Sequence, residues 1–349
     1  MPKPKAQIFL DANIVIGAGK PPGGPELSRV ADLVKAGIVT VLTTDLTVTE
    51  VVKKHVQNDF ELTKAVCAAH FRTAIATITD TELPAINRSQ LRQLLQSTYS
   101  TSVKAMFDRL GAKALTIDNV KPSAVFDAYA NGSGFFGGEG KRDQFPDAFT
   151  FECLKQVATP DSPVIVVSQD GDFDKPVQAE TNIILVKSLP ELFTELGLEM
   201  VAPEVDTFFD SHHDELIKLV DRELSDWTLY GDVEDSEIDN TDVTAVEIKQ
   251  LVAFKPTGEG DPILVVGKMS VKATADYTHP DWDNASYDSE DKILIPYGDV
   301  DGQTELDLDI DFSVFLLIGE GGDPEEFEDL KFQNDDFVYV SLSSYDDYR

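Results

Sequence analysis

The chain has 349 residues, room for two domains, and 42% of its side chains are hydrophobic, an ordinary proportion for packed globular cores. It carries 63 Asp and Glu against 29 Lys and Arg, a formal net charge of −34. No run reaches the length of a membrane span, no signal peptide is expected, and two cysteines, Cys67 and Cys153, cannot make a disulfide framework, so a reducing cytoplasm is the expected home.

The acid is unevenly spread. Residues 1–200 hold 24 acids and 20 Lys and Arg, a balance of −4; residues 201–349 hold 39 and 9, a balance of −30. A salt-adapted protein would acidify both halves. The asymmetry instead predicts a boundary near residue 200: one domain over 1–200, a helix and acidic linker over 201–240, and an acidic β-rich domain over 241–349.

The first region alternates strand and helix patterns. "AQIFLDA" is a short buried strand, and the apolar residues after it, Ile14, Val15 and Ile16, lead out toward a Gly-rich loop. "PELSRVADLVKAG" sets Val30, Leu33 and Val34 at helical spacing, and "GIVTVLTT" is the second strand. Then come the helical patterns "TVTEVVKKHVQNDFELTKAVCAAHF", "RSQLRQLLQSTYSTSVKAMFDRLGA" and "PSAVFDAYA". Residues 131–142, "NGSGFFGGEGKR", lack the Lys-Ser/Thr ending of a P-loop and read as a connector. "FPDAFTFECLKQVA" is a helix with Pro146 in its first turn, and "PVIVVSQD" and "NIILVKS" are the remaining strands. Such alternation predicts an α/β fold with a parallel sheet between helices, binding ligands at the carboxyl ends of the strands.

Beyond residue 200 the pattern changes. "FFDSHHDELIKLVDRELSDW" reads as one amphipathic helix with His212 and His213 exposed, and "GDVEDSEIDNTD" as an acidic linker. Strand-like runs follow: "TAVEIKQLVAF", "PILVVGKMSVKATADY", "KILIPYG", "TELDLDIDFSVFLLI" and "DFVYVSLSS". In "ELDLDIDF" acids and apolar residues alternate strictly, the period of a strand with one wet, acidic face. A mainly antiparallel β module is expected.

Several acids fall at predicted strand ends or helix starts. Asp11 ends the first strand, Glu50 lies in the first turns of the helix after the second, Asp147 opens a helix, and Asp170 and Asp172 follow the most apolar strand. Parallel strands bring these ends to one edge of the sheet. Clustered carboxylates repel, and protonation or a cation relieves them. Oxygen-only ligation suits Mg²⁺ or Mn²⁺, with the remaining positions open to water and a phosphodiester. Taken singly, Asp11 and Asp147 also suit helix caps, Glu50 an ordinary first-turn acid, and Asp172 a turn residue.

In order and spacing, "IFLDANIVI", "TTDLTVTEVV", "FPDAFTFECL" and "VIVVSQDGDF" resemble the motifs of PIN-domain nucleases, over roughly residues 5–190. The resemblance implies a PIN-like three-layer sandwich and Mg²⁺- or Mn²⁺-dependent cleavage of single-stranded or structured RNA, with DNA still open as a substrate. It assigns Asp11, Glu50, Asp147, Asp170 and Asp172 as catalytic and metal-holding acids. Asn13 and Ser168 match the polar residues that accompany the first and last acids, and Asp143 is a further or outer acid. A long insertion and an added C-terminal region make the chain similar to the larger bacterial members. Lys53, Lys54, Lys141, Arg142 and Lys175 lie near the acids in sequence and are candidate RNA phosphate contacts.

Two other readings stay open. "FLDANIV" is close to the opening motif of haloacid-dehalogenase phosphohydrolases, with Asp11 as nucleophile, although Asn13 stands where those enzymes need a second acid. A catalytically silent nucleic-acid-binding or regulatory module is the third. The acidic C-terminal region repels phosphates. It is expected to be a docking or oligomerisation module for a basic partner, an inhibitor seated on the basic rim of the chain's own active site, or a solubility device; a homodimer is the candidate assembly.

Overall fold

The computed structural model describes residues 6–137, 144–258, 260–288, 293–333 and 337–342. The chain divides into two units, Met1–Leu198 and Glu199–Arg349.

The first unit is organised around its opening strand. In β1 (Ala6–Leu10), Ile8, Phe9 and Leu10 have no exposed surface. The strand stops at Asp11, whose carboxylate caps α1 (Ala12–Gly17), so the apolar run Ile14–Ile16 is helical rather than a strand's exit. The chain continues through α2 (Pro25–Lys35), β2 (Val39–Thr44) and α3 (Asp45–Thr63). The predicted long helix over 47–71 is interrupted: a 3₁₀ turn at Lys64–Cys67 separates α3 from α4 (Ala69–Thr79). Then come α5 (Arg88–Arg109), β3 (Lys113–Leu115), α6 (Pro122–Asn131), α7 (Phe145–Val157), β4 (Val164–Val167), α8 (Asp174–Gln178), β5 (Ile183–Val186) and α9 (Leu189–Glu195).

The five strands form one parallel sheet in the order β3-β2-β1-β4-β5, flanked by helices in an α/β sandwich. Phe9 lies opposite Leu42 on one side and Val166 on the other. From β1 the chain steps outward to β2 and β3, then returns to the far side of β1 through β4. The gap between β1 and β4 is therefore the switch point of the sheet, where doubly wound folds open a crevice at the strands' carboxyl ends. Leu10, Thr44 and Val167 end their strands at that edge. The Gly-rich segment is more than a connector. Gly134–Phe136 make a 3₁₀ turn that buries Phe135 and Phe136 in the core with Phe151 and Phe173, and Gly134 takes a positive φ of 59° that a side chain would strain.

In the second unit, β6 (Glu199–Met200) precedes two helices, α10 (Pro203–Ser211) and α11 (His213–Ser225), where one was expected. The break falls at His212, which is half-buried with its ring stacked on Phe208 at 4.1 Å rather than exposed. The segment expected to be a linker is largely structured: β7 (Thr228–Gly231) is followed at Glu237 by β8 (Glu237–Phe254). β9 (Ile263–Pro280), the short hairpin of β10 (Ser286–Asp288) and β11 (Ile293–Ile295), β12 (Asp299–Ile318), β13 (Pro324–Phe332) and β14 (Phe337–Val340) complete the unit. β13, β12, β9, β8 and β6 form an antiparallel sheet, and β14 pairs with β7. Leu306 and Ile310 are buried while Glu305, Asp307 and Asp309 are exposed, as the alternation requires. The core joins Phe208, Phe209, Leu216 and Val220 of the helices to Met269, Val271, Phe312 and Phe327 of the sheet.

Candidate active site

Asp11 lies at the end of β1, where its backbone N–H extends the ladder to the Val167 carbonyl at 3.0 Å. A carboxylate so placed must be compensated, and its neighbours supply donors. Ala12 N–H donates to Oδ1 at 2.8 Å; Ser168 Oγ and Asn13 Nδ2 donate to Oδ2 at 2.6 and 2.9 Å. Asn13 Nδ2 also reaches Ser168 Oγ at 3.3 Å, and Gln169 N–H donates to Asn13 Oδ1. Burial still raises the Asp11 carboxyl above its ordinary range, offset in part by these bonds, with Asp170 adding repulsion.

Two further acids come from helices that start at the same edge. Thr44 ends β2 and caps α3, its Oγ1 accepting Thr47 N–H at 3.1 Å. Thr44 Oγ1 also pairs with Thr47 Oγ1 at 2.9 Å and with Thr150 Oγ1 of α7 at 3.4 Å. This buried hydroxyl cluster ties together the helices that carry Glu50 and Asp147. Glu50 has an exposed side chain on the second turn of α3; desolvation by the surrounding protein and then repulsion from Asp11 raise its carboxyl, while Lys53 lowers it. Asp147, in the first turn of α7, is pushed up to about 7. Burial is the larger cause, followed by repulsion from Asp11, Glu50, Asp170 and Asp172.

The last two acids sit in the loop after β4. Asp170 caps the 3₁₀ turn Gly171–Phe173, its Oδ1 accepting Asp172 N–H at 2.8 Å, and its own N–H donates to Ser168 Oγ at 3.1 Å. Phe173 anchors the loop: it is 1% exposed and meets Phe135 edge-on at 5.1 Å. Truncating such a buried ring costs about 3–5 kcal/mol. Lys187, just after β5, reaches the other side, its Nζ donating to the Asp170 carbonyl at 3.3 Å and to Asp174 Oδ1 at 2.6 Å. Sequence reasoning did not mark Lys187 as part of the site.

Asp11, Glu50, Asp147, Asp170 and Asp172 are thus brought within one another's electrostatic reach, with Asn13 and Ser168 bonded to Asp11. Of the lysines named from sequence, Lys53 lies beside Glu50; Lys54 and Lys175 are exposed on α3 and α8. Lys141, Arg142 and Asp143 lie outside the described residues. Among the described residues, no three His, Cys, Asp or Glu side chains are placed to hold an ion between them. The carboxylates are gathered without closing on one point. The donors are nevertheless all oxygen, and Asp11, Glu50, Asp170 and Asp172 all repel charge on Asp147. That chemistry fits a hard divalent cation and no softer metal.

No curated protein and no solved structure shows significant similarity to the chain. The family model of the PIN domain matches residues 8–173, a span that contains all five acids. Over this region the N-terminal unit is similar to the PIN domain, a match that supports a place in the PIN-domain nuclease family.

Proposed function

We propose that the chain is a metal-dependent endoribonuclease that hydrolyses RNA phosphodiester bonds, with Asp11, Glu50, Asp147, Asp170 and Asp172 holding Mg²⁺ or Mn²⁺. The observation that carries this reading is the gathering of acids around Asp147, whose carboxyl is raised to about 7 by burial and by repulsion from Asp11, Glu50, Asp170 and Asp172. When bound, a divalent ion supplies neutralisation of these charges, polarisation of the phosphodiester and a more acidic attacking water. The residues themselves do the positioning. Ser168 and Asn13 fix Asp11 through Oδ2, the Thr44–Thr47–Thr150 cluster sets Glu50 and Asp147, and Phe173 with Lys187 holds the loop of Asp170 and Asp172.

The phosphohydrolase alternative is less well supported. It needs an acid two residues after the nucleophile, and Asn13 there donates to Asp11 Oδ2 at 2.9 Å, as an amide that cannot act as acid or base. The nuclease function is assigned to residues 1–200. The acidic C-terminal region is assigned a separate role, docking a basic partner or restraining the nuclease; a homodimer acting in the cytoplasm completes the proposal. Among the described residues, no helix is long and apolar enough to cross a membrane.

The test is a cleavage assay on single-stranded RNA and DNA with Mn²⁺, Mg²⁺ or chelator, using wild type, Asp11→Asn and a fragment ending at Leu198. The expected result is RNA cleavage that needs metal, is lost in Asp11→Asn by a factor of 10² or more, and is faster in the fragment. Cleavage surviving chelator and substitution would reject the mechanism, preference for DNA would reject the substrate, and equal rates in the fragment would remove the restraining role.

A further inference from the structure

Helices α3 and α5 lie side by side and antiparallel: Arg92 of α5 lies over the Phe60 ring of α3 at 3.7 Å, and Tyr99, one end further on, stacks on His55. Between them runs an open groove of about 700 Å³, and apart from Lys53 its lining has no role discussed above. Its α3 wall carries Lys53, Gln57 and Glu61, and its α5 wall Arg92, Gln93 and Gln96 with three serines.

Three features of this groove point to a ligand. The first is continuity with the acids. Glu50, Lys53, Gln57 and Glu61 follow one another at helical spacing, so they form a single stripe along α3. It begins at the carboxylate site and runs for eleven residues, about 16 Å at 1.5 Å per residue. The second is charge. In a chain of net −34, this groove presents two cations, Lys53 and Arg92, and one acid. That acid, Glu61, is spoken for: Lys64 binds it at 2.6 Å, and this bond, with Arg92 and Arg88 nearby, holds its carboxyl below the ordinary range. The third is donor chemistry. The remaining polar lining is amide and hydroxyl, groups that bond phosphate oxygens and base edges alike. The Arg92 guanidinium carbon lies 3.7 Å over the Phe60 ring and the residue is exposed, and an exposed arginine is a group on which a nucleobase can stack.

We propose that the α3–α5 groove is the track along which a single-stranded polynucleotide leaves the carboxylate site, its phosphates passing Lys53 and Arg92. The stripe accommodates on the order of four stacked nucleotides at ~3.4 Å each. This inference rests on the nuclease reading for what happens at the acids, but the track binds whether or not cleavage occurs. It also explains how a strongly acidic chain retains a polyanion: the local surface is cationic where the strand lies.

The experiment measures anisotropy of a fluorescent single-stranded RNA 12-mer with the full chain in chelator, across a salt series. Wild type should bind, with affinity falling as salt rises. Arg92→Gln should reduce the steepness of the log–log salt dependence by about 0.7, the contribution of one phosphate contact on a single strand. The double variant Arg92→Glu/Gln96→Glu should weaken binding about ten-fold or more, whereas Lys218→Glu, a charge reversal on exposed α11, should change it less than two-fold. Ser100→Arg, which adds a cation to the groove wall, should tighten binding and covers the case in which the double variant folds poorly. Wild type that binds no strand, a double variant that binds like wild type, or equal losses in the double variant and Lys218→Glu would each overturn the proposal. Binding with this pattern but no cleavage in Mn²⁺ would leave the track standing and remove the nuclease reading.

Discussion

Asp147 shows how one residue registers the whole site. Folded, it keeps its proton up to about pH 7; an unfolded chain releases it near the ordinary 3.8. Between these values the folded state holds one proton more, so stability falls as pH rises through that window. In chelator, Asp147→Asn is therefore expected to stabilise the fold relative to wild type at pH 8, by on the order of 2–4 kcal/mol at most, and so to melt at a higher temperature. The difference should shrink toward pH 4. A difference that does not change with pH, measured by thermal unfolding, would mean that neither burial nor the other acids raise the Asp147 carboxyl. Asp11, Glu50, Asp147, Asp170 and Asp172 were legible in the sequence because each sits in a short motif at a strand end or helix start. Asn13 and Ser168 were legible beside them, but the supports from other elements were not. Thr44 reaches Thr150 across 106 residues and Lys187 reaches Asp170 across 17, and nothing in a lysine or threonine read locally marks such a contact.

At the scale of elements, alternation of apolar runs and helical periods revealed four of the five parallel strands and the helices between them. The misses share a cause. β3 has three residues, only one of them even partly buried, too few to show a period. The Ile14–Ile16 run is apolar on every residue, so periodicity cannot distinguish strand from short helix; the Asp11 cap decides it. In the second unit, apolar residues keep helical spacing across His212, which hid the break. The loop after β4 is the element on which the site depends, and Lys187 ties it to the end of β5. Its ion pair with Asp174 is about 40% exposed, so it contributes less than ~1 kcal/mol to stability. Lys187→Met should thus barely move the melting temperature yet raise the Mn²⁺ concentration needed for half-maximal activity several-fold, with Lys187→Arg close to wild type. An unchanged metal requirement would show that Phe173 and the β4–β5 ladder hold the loop unaided.

Over the whole molecule, charge and architecture divide at the same place. The −4 region contains the parallel sheet and its gathered carboxylates; the −30 region contains strands of 18 to 20 residues with an acidic wet face. Alternation in "ELDLDIDF" made that face readable, whereas the length of β8 was concealed by acids and an asparagine that looked like a linker. The central proposal concerns the first region: five carboxylates within one another's electrostatic reach share a divalent cation when it binds. Calorimetric titration of the full chain with Mn²⁺ at pH 8 tests this without reference to any substrate. Wild type should bind Mn²⁺ and release protons as it does so, and Asp11→Asn and Asp147→Asn should each weaken binding by ten-fold or more. A wild-type chain that takes up no Mn²⁺, or variants that bind it as tightly as wild type, would contradict the account.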